Sequence, residues 1–259
     1  MELRSVPPDT YAALAPLLPE EPATLNARAC LLAQRAGITV YADSLTAPTA
    51  VIVDWETADT HVVTIAGTFD APVLAAYIRA LRWPVTLRAP AALTARLPDL
   101  CADLVARAYV SFVLPSGNNA AFTVLPPGGV RRLRPADARG LTAIPADTWG
   151  TYGTATAALR EGIVYARYLR AEIVSLACLT ARTEHYAVVA AFTIERVRRN
   201  GFARECLGRL VSALVTEWNV TPLLTSAADD DAARGLAHAL GLTEEHAWTA
   251  YILERTSRP

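Results

Sequence analysis

Apolar positions recur along this chain with two periods, and the periods divide it into elements. Asp70–Leu81 places Val73, Leu74, Tyr77, Ile78 and Leu81 on one stripe, which predicts an amphipathic helix. Gly201–Trp218 is the strongest helix: Ala203, Cys206, Leu207, Leu210, Val211, Leu214, Val215 and Trp218 follow i, i+3, i+4 spacing. Nearly continuous β-branched runs at Ile38–Ala42, Ala50–Trp55 and His61–Ala66 predict strands covered on both faces. Further strands are predicted at Pro84–Arg88, Tyr109–Leu114, Ala121–Leu125, Tyr186–Thr193, Pro222–Ala227 and Trp248–Arg255. Ile163–Leu169 and Glu172–Thr180 form a hairpin through Arg170-Ala171. Helices are expected over Thr10–Leu18, Thr24–Ala36, Ala91–Arg107 (restarted or kinked at Pro98), Ala155–Glu161 and Ala232–Leu240. Strand and helix therefore alternate, as in an α/β protein.

Leu125-Pro126-Pro127-Gly128-Gly129 is the clearest break in this pattern, because two prolines block helix and two glycines loosen the backbone. The expected layout is an α/β domain over residues 1–125, a linker at 126–129 and a second domain over 130–259. A chain of 259 residues with 53% apolar content can build two cores.

Candidate chemistry concentrates where the strand Tyr186–Thr193 turns into the long helix. The turn carries Arg196, Arg198, Arg199 and Arg204 around Gly201. Amides at a helix N-terminus lack intrahelical partners, and the helix dipole adds about half a positive charge there. Glycine lets the backbone approach a ligand, and guanidinium groups pair well with phosphate. Local physics therefore predicts a phosphate cradle; the alternative is an ordinary turn with surface arginines.

Arg198-x-x-Gly201-x-Ala203 resembles the (Gln/Arg)-x-x-Gly-x-(Gly/Ala) turn of the GCN5-related N-acetyltransferases, the GNAT family. The order of elements from about Val130 to Glu254, closing on Leu240-Gly241-Leu242, is similar to that family's domain. Val130-Arg131-Arg132-Leu133-Arg134-Pro135-Ala136-Asp137 resembles its opening strand and helix entry. The resemblance implies acetyl-CoA as co-substrate, with its pyrophosphate on Arg198, Arg199, Asn200, Gly201, Phe202, Ala203 and Arg204. It implies that pantetheine pairs with the backbone of Phe192, Thr193 and Ile194, and that a backbone N–H meets the acetyl carbonyl. Asp229 would stand in for an asparagine that contacts pantetheine in the family. Trp149 and Tyr152 are candidates to line the acceptor pocket, or they belong to a packed loop. The resemblance further implies direct attack by an amine acceptor, a small molecule or a peptide. The N-terminal domain is then expected to be a degenerate GNAT-like half.

Two departures from the family pattern stand out. Its strand glutamate falls near Ala187 or Val188 here, and its tyrosine falls at Ala237. The candidate acid–base and positioning residues are His185, Glu195 and Ser226, although Glu195 is also placed to pair with the arginines. The missing strand glutamate and tyrosine motivate an alternative reading, a catalytically weak acyl-CoA-binding module.

Composition narrows the field further. Formal net charge is −1, so nothing pulls the chain toward nucleic acid or an anionic membrane. All 24 basic residues are arginine, which removes lysine from the candidate nucleophiles and phosphate ligands. Asp229-Asp230-Asp231 reads as a helix cap and acidic first turn rather than a metal site, and no metal is expected. Trp55, Trp83 and His61 read as core residues. The four scattered cysteines, without a Cys-x-x-Cys pair or a secretory leader, fit reduced thiols in the cytoplasm. Cys206 belongs to the apolar helix stripe. No apolar run is long enough to cross a membrane. Oligomeric state stays open, a homodimer being one of the states entertained.

Overall fold

The structure is a computed structural model, which describes residues 2–56, 61–81, 84–115 and 129–253. Strand Ala121–Leu125, Trp83 and the linker up to residue 128 lie outside them. The chain forms two compact units: residues up to Tyr109 together with those from Ala247 onward, and Val110–His246.

The first unit contains β1 (Arg4–Ser5), α1 (Tyr11–Leu14), α2 (Leu25–Leu32), β2 (Ile38–Ala42), β3 (Ala50–Glu56), β4 (His61–Gly67), α3 (Ala71–Ala80), β5 (Val85–Arg88), α4 (Ala91–Thr94) and α5 (Leu97–Leu100). Strands β1 to β4 are successively antiparallel, and β5 joins β4 in parallel. Ile52, Ile65, Leu74, Ile78 and Leu87 fill one core, and Leu14, Leu31, Val40, Val51 and Val53 fill another. Neighbouring residues of one strand serve different cores, which is why these strands read as unbroken apolar runs.

Two expectations in this region need correction. Thr10–Leu18 is a short α-helix flanked by 3-10 turns, since Pro16 cannot donate into a continuous helix. The helix expected over Ala91–Arg107 stops at Leu100, and Leu104–Val113 is the strand β6. Its alanines and arginine favour helix locally, but sheet pairing overrides that weak preference.

The second unit begins within β6 and continues with β7 (Val130–Arg132), α6 (Ala155–Glu161), β8 (Val164–Leu169), β9 (Glu172–Arg182), β10 (Tyr186–Thr193), α7 (Phe202–Trp218), β11 (Thr221–Ala227), α8 (Asp231–Ala239) and β12 (Thr243–Leu253). Strand order in this unit is β6-β11-β10-β9-β8-β7. The expected meander β8-β9-β10 precedes the basic turn, and Arg170 and Ala171 take the left-handed φ values, 49° and 69°, of a tight hairpin. β12 starts five residues earlier than expected, at Thr243, and its C-terminal part pairs with β5 in the first unit.

Helix α7 buries Cys206, Leu207, Leu210, Val211 and Leu214, as its stripe predicts. Full burial of each Leu or Val contributes roughly 1.5–3 kcal/mol. Asp230 caps α8, its carboxylate accepting from Ala233 N–H at 3.0 Å.

Candidate functional site

The site grows from β10 and its two neighbours. On one side β10 pairs with β9 along its length, from Ala187↔Arg182 to Thr193↔Ser175. On the other side the parallel ladder with β11 covers Tyr186↔Thr221 through Val189↔Leu224 and ends. Both strands continue, β10 to Thr193 and β11 to Ala227. Among the described residues, the edge of β10 over Ala190–Thr193 therefore has no strand paired with it on that side. An extended chain seated there would meet main-chain groups outside the β11 ladder, as in strand addition, although Thr193 O already accepts from Arg198 Nε.

Register changes where the ladder ends. Val188 pairs with Ala181 and Val189 with Leu179, so Thr180 is left as a bulge. Thr180 Oγ1 donates to Val188 O at 3.0 Å, and Thr151 Oγ1 donates to Thr180 O at 2.7 Å. Gly150, at φ 53°, lies against Thr180 so closely that a Cβ would come within 2.4 Å of Thr180 Cβ. Farther along, the buried Ser175 hydroxyl of β9 contacts Phe192 O at 3.0 Å and Thr193 Oγ1 at 2.8 Å, which ties the end of β10 to β9. Sequence reasoning missed Gly150, Ser175 and Thr180; polar residues inside the apolar run Glu172–Arg182 were the available signal.

Beyond Thr193 the chain turns through a 3-10 segment, Glu195–Val197, into α7. Gly201 is the N-cap, with φ 79° and ψ 0°, and Arg199 is also left-handed at φ 65°. The first helical bond runs from Glu205 N–H to Gly201 O at 3.0 Å, so amides from Gly201 to Arg204 have no helical partner. Apart from its own chain neighbours and helix backbone, no atom lies within 4 Å of where a Gly201 Cβ would project, so the turn is open on that side. The Asn200 side chain donates inward to Val197 O and Arg198 O at 3.1 and 3.3 Å, bracing the turn. Arg198 Nε donates to Thr193 O at 3.3 Å, while Arg199 and Arg204 are exposed. Arg167, from β8, lies 5.0 Å over the Phe202 ring and pairs with Glu205 at 2.9 Å. This turn suits a diphosphate: unpaired amides, an open side next to them and free guanidinium groups.

The other sequence candidates are spread out. Ser226 lies past the end of the ladder, and its Oγ is enclosed without a hydrogen-bond partner among the described residues. His185 is exposed just before β10, a strand length of roughly 23 Å from Thr193. Glu195 is exposed beside the turn, but Arg196 pairs with Glu172 rather than with Glu195. The structure does not gather these three around one point. Asp229 is exposed after β11, at the open end of the split. Trp149 and Tyr152 are buried in the core of the unit, consistent with a packed loop. Ala237, the position of the family tyrosine, is fully buried. An open cavity of about 690 Å³ flanks the turn on the hairpin side, with Ile173 and Ile194 among its apolar residues and Arg131, Tyr168 and Arg170 among its polar ones.

Cysteine chemistry has no part here. Burial pushes the Cys30, Cys178 and Cys206 thiols up to about 12. Their thiolate fraction at pH 8 is therefore very small. Iodoacetamide should modify only the part-exposed Cys101 in the native protein and all four cysteines after denaturation, as counted by intact mass.

Among the described residues no helix is long and apolar enough to cross a membrane, and no group of three metal-ligating side chains occurs. No family model and no curated protein matches the sequence. Solved structures do match the fold. A GCN5-related N-acetyltransferase-like protein from Streptococcus suis aligns with a TM-score of 0.68 at 17% identity, over 94% of this chain and 98% of that one. A GNAT-family acetyltransferase from Colwellia psychrerythraea aligns with a TM-score of 0.63 at 8% identity, over 98% and 100%. A tandem GNAT protein from the clavulanic acid biosynthesis pathway aligns with a TM-score of 0.60 at 12% identity, over 99% and 100%.

Proposed function

We propose that this protein, whose fold is the GNAT fold and resembles a tandem GNAT protein over nearly the whole chain, is an acyl-CoA-dependent N-acyltransferase, moving an acetyl group from acetyl-CoA to an amine. The observation that carries the proposal is the parting of β10 and β11 after Val189↔Leu224, directly upstream of the Gly201 turn. Acetyl-CoA supplies an activated acyl group when bound. Amides of Gly201 to Arg204, with Arg199 and Arg204, hold its diphosphate. The open side of β10 over Ala190–Thr193 orients its arm, with Asp229 at the open end; Ile194 is not available for this, because its N–H donates to Val174 O and its O accepts from Val197 N–H. Holding acyl group and amine in line provides much of the rate.

Proton removal is left to water or to Ser226, whose enclosed hydroxyl can orient the amine or a water molecule. The acceptor is a small-molecule or peptide amine, and neither nucleic acid nor membrane is a partner in this scheme. Placement in the cytoplasm and a homodimeric state belong to the same reading.

Calorimetry with acetyl-CoA should show saturable binding at a stoichiometry of one per Gly201 turn. A panel of amines should then release CoA thiol, detected with a chromogenic disulfide. Absence of any binding heat would sink the proposal. Tight binding without turnover on any amine favours the alternative, a catalytically weak acyl-CoA-binding module, for which the absence of a glutamate at Ala187 or Val188 and the buried Ala237 speak.

A further inference from the structure

The first unit contains a second parallel pair that ends early. β4 and β5 pair at Val62↔Thr86, Val63↔Leu87 and Thr64↔Arg88, after which β5 stops and β4 runs on to Gly67. The last pair puts Thr64 and Arg88 side by side on one face of the sheet. Val63, Ile65 and Leu87 point the other way, into a core. The corresponding last pair of the second unit, Val189↔Leu224, is apolar.

Arg88 is half-buried, yet its guanidinium has no carboxylate and no hydrogen-bond partner among the described residues. Nε is fully enclosed and unbonded, so the planar head is held by packing rather than by polar contacts. The Trp248 ring lies 5.6 Å from Arg88 Cζ, and Tyr109 stacks on Trp248 with centroids 4.7 Å apart and planes at 18°. Arg107 closes the far end of this column, 5.8 Å from the Tyr109 ring. Burial pushes the Arg88 guanidinium below its ordinary value. A cation taken partly out of water without a counter-charge is costly, and proteins seldom keep one without use.

We propose that Arg88 and Thr64 form a binding site for a small organic carboxylate at the end of the β4–β5 ladder. The Nη–H groups of a guanidinium donate to a carboxylate in a two-point fork, and the buried Thr64 hydroxyl can donate a further bond. One guanidinium balances one negative charge. A phosphate monoester carries about −1.5 to −2 at pH 7 and would leave charge uncompensated here. The aromatic pair beside Arg88 favours a carboxylate on a planar apolar body. This site belongs to the first unit alone and does not depend on the acyltransfer reading.

Benzoate titrated into the full chain at constant ionic strength should quench Trp248 emission saturably, and Trp248→Phe should remove that signal. Arg88→Gln should weaken binding at least about tenfold, since a charge-assisted pair is lost. In the unmodified protein, benzoate should also protect Arg88 from phenylglyoxal while Arg107 stays reactive, as mapped by peptide mass. That measurement needs no variant to fold. Unsaturable quenching, equal affinity in Arg88→Gln, or absence of protection at Arg88 would each overturn the site. Inorganic phosphate protecting Arg88 as well as benzoate does would overturn the carboxylate assignment.

Discussion

Gly201→Val is expected to weaken acetyl-CoA binding by about 100-fold or more, equivalent to about 2.7 kcal/mol. Two effects combine. Gly201 sits at φ 79°, where a branched side chain is strained by roughly 1–2 kcal/mol. The added side chain would also crowd the open side of the turn next to the unpaired amides, beside the proposed diphosphate. Gly153 makes a matched control, because it is left-handed at φ 68° and has equally open space around a new Cβ. Gly153→Val should lower the melting temperature as much as Gly201→Val, by about 4 °C, and leave affinity unchanged. Calorimetry and thermal melts on both variants decide the matter. Equal affinities in the two would place the diphosphate elsewhere.

Gly150→Ala is expected to be the most destabilising of the conservative substitutions considered. Its Cβ would meet Thr180 Cβ at 2.4 Å, Thr180 O at 2.7 Å and Thr180 Cα at 2.9 Å, so backbone has to move. A collision of this kind costs about 3–5 kcal/mol, or roughly 10 °C in melting temperature. Thr180 is the bulge opposite Val188 and Val189, where β10 and β11 part. The same substitution should therefore depress CoA release in the amine assay beyond any loss of folded protein. A melting temperature within about 2 °C of wild type would show that the loop Ala146–Tyr152 yields to the new methyl. The bulge would then not be held as described.

Local pattern was legible wherever one element decided its own conformation. The α7 stripe, its N-terminus at Gly201, the β8-β9-β10 meander and the Asp230 cap follow from spacing, glycine and short polar side chains. The turn itself was legible because glycine and a helix start coincide in a few consecutive positions. The strand at Tyr109–Val113 was legible but its start at Leu104–Ala108 was not, because the alanines there favour helix until neighbouring strands supply hydrogen bonds. Arg167 and Ser175 escaped for a similar reason. Arg167 matters only through Glu205 and Phe202, and Ser175 only through Phe192 and Thr193, all far away in sequence.

The order of apolar and polar residues by itself determined most strands and helices and where a glycine turn opens the long helix, since those are short-range effects of side-chain period and backbone freedom. Tertiary structure alone decided that β10 and β11 pair for four residues and then part, that Gly150 lies on a bulge, and that Arg88 is enclosed without a counter-charge. Those features depend on which distant residues come into register, and register is a property of the assembled sheet.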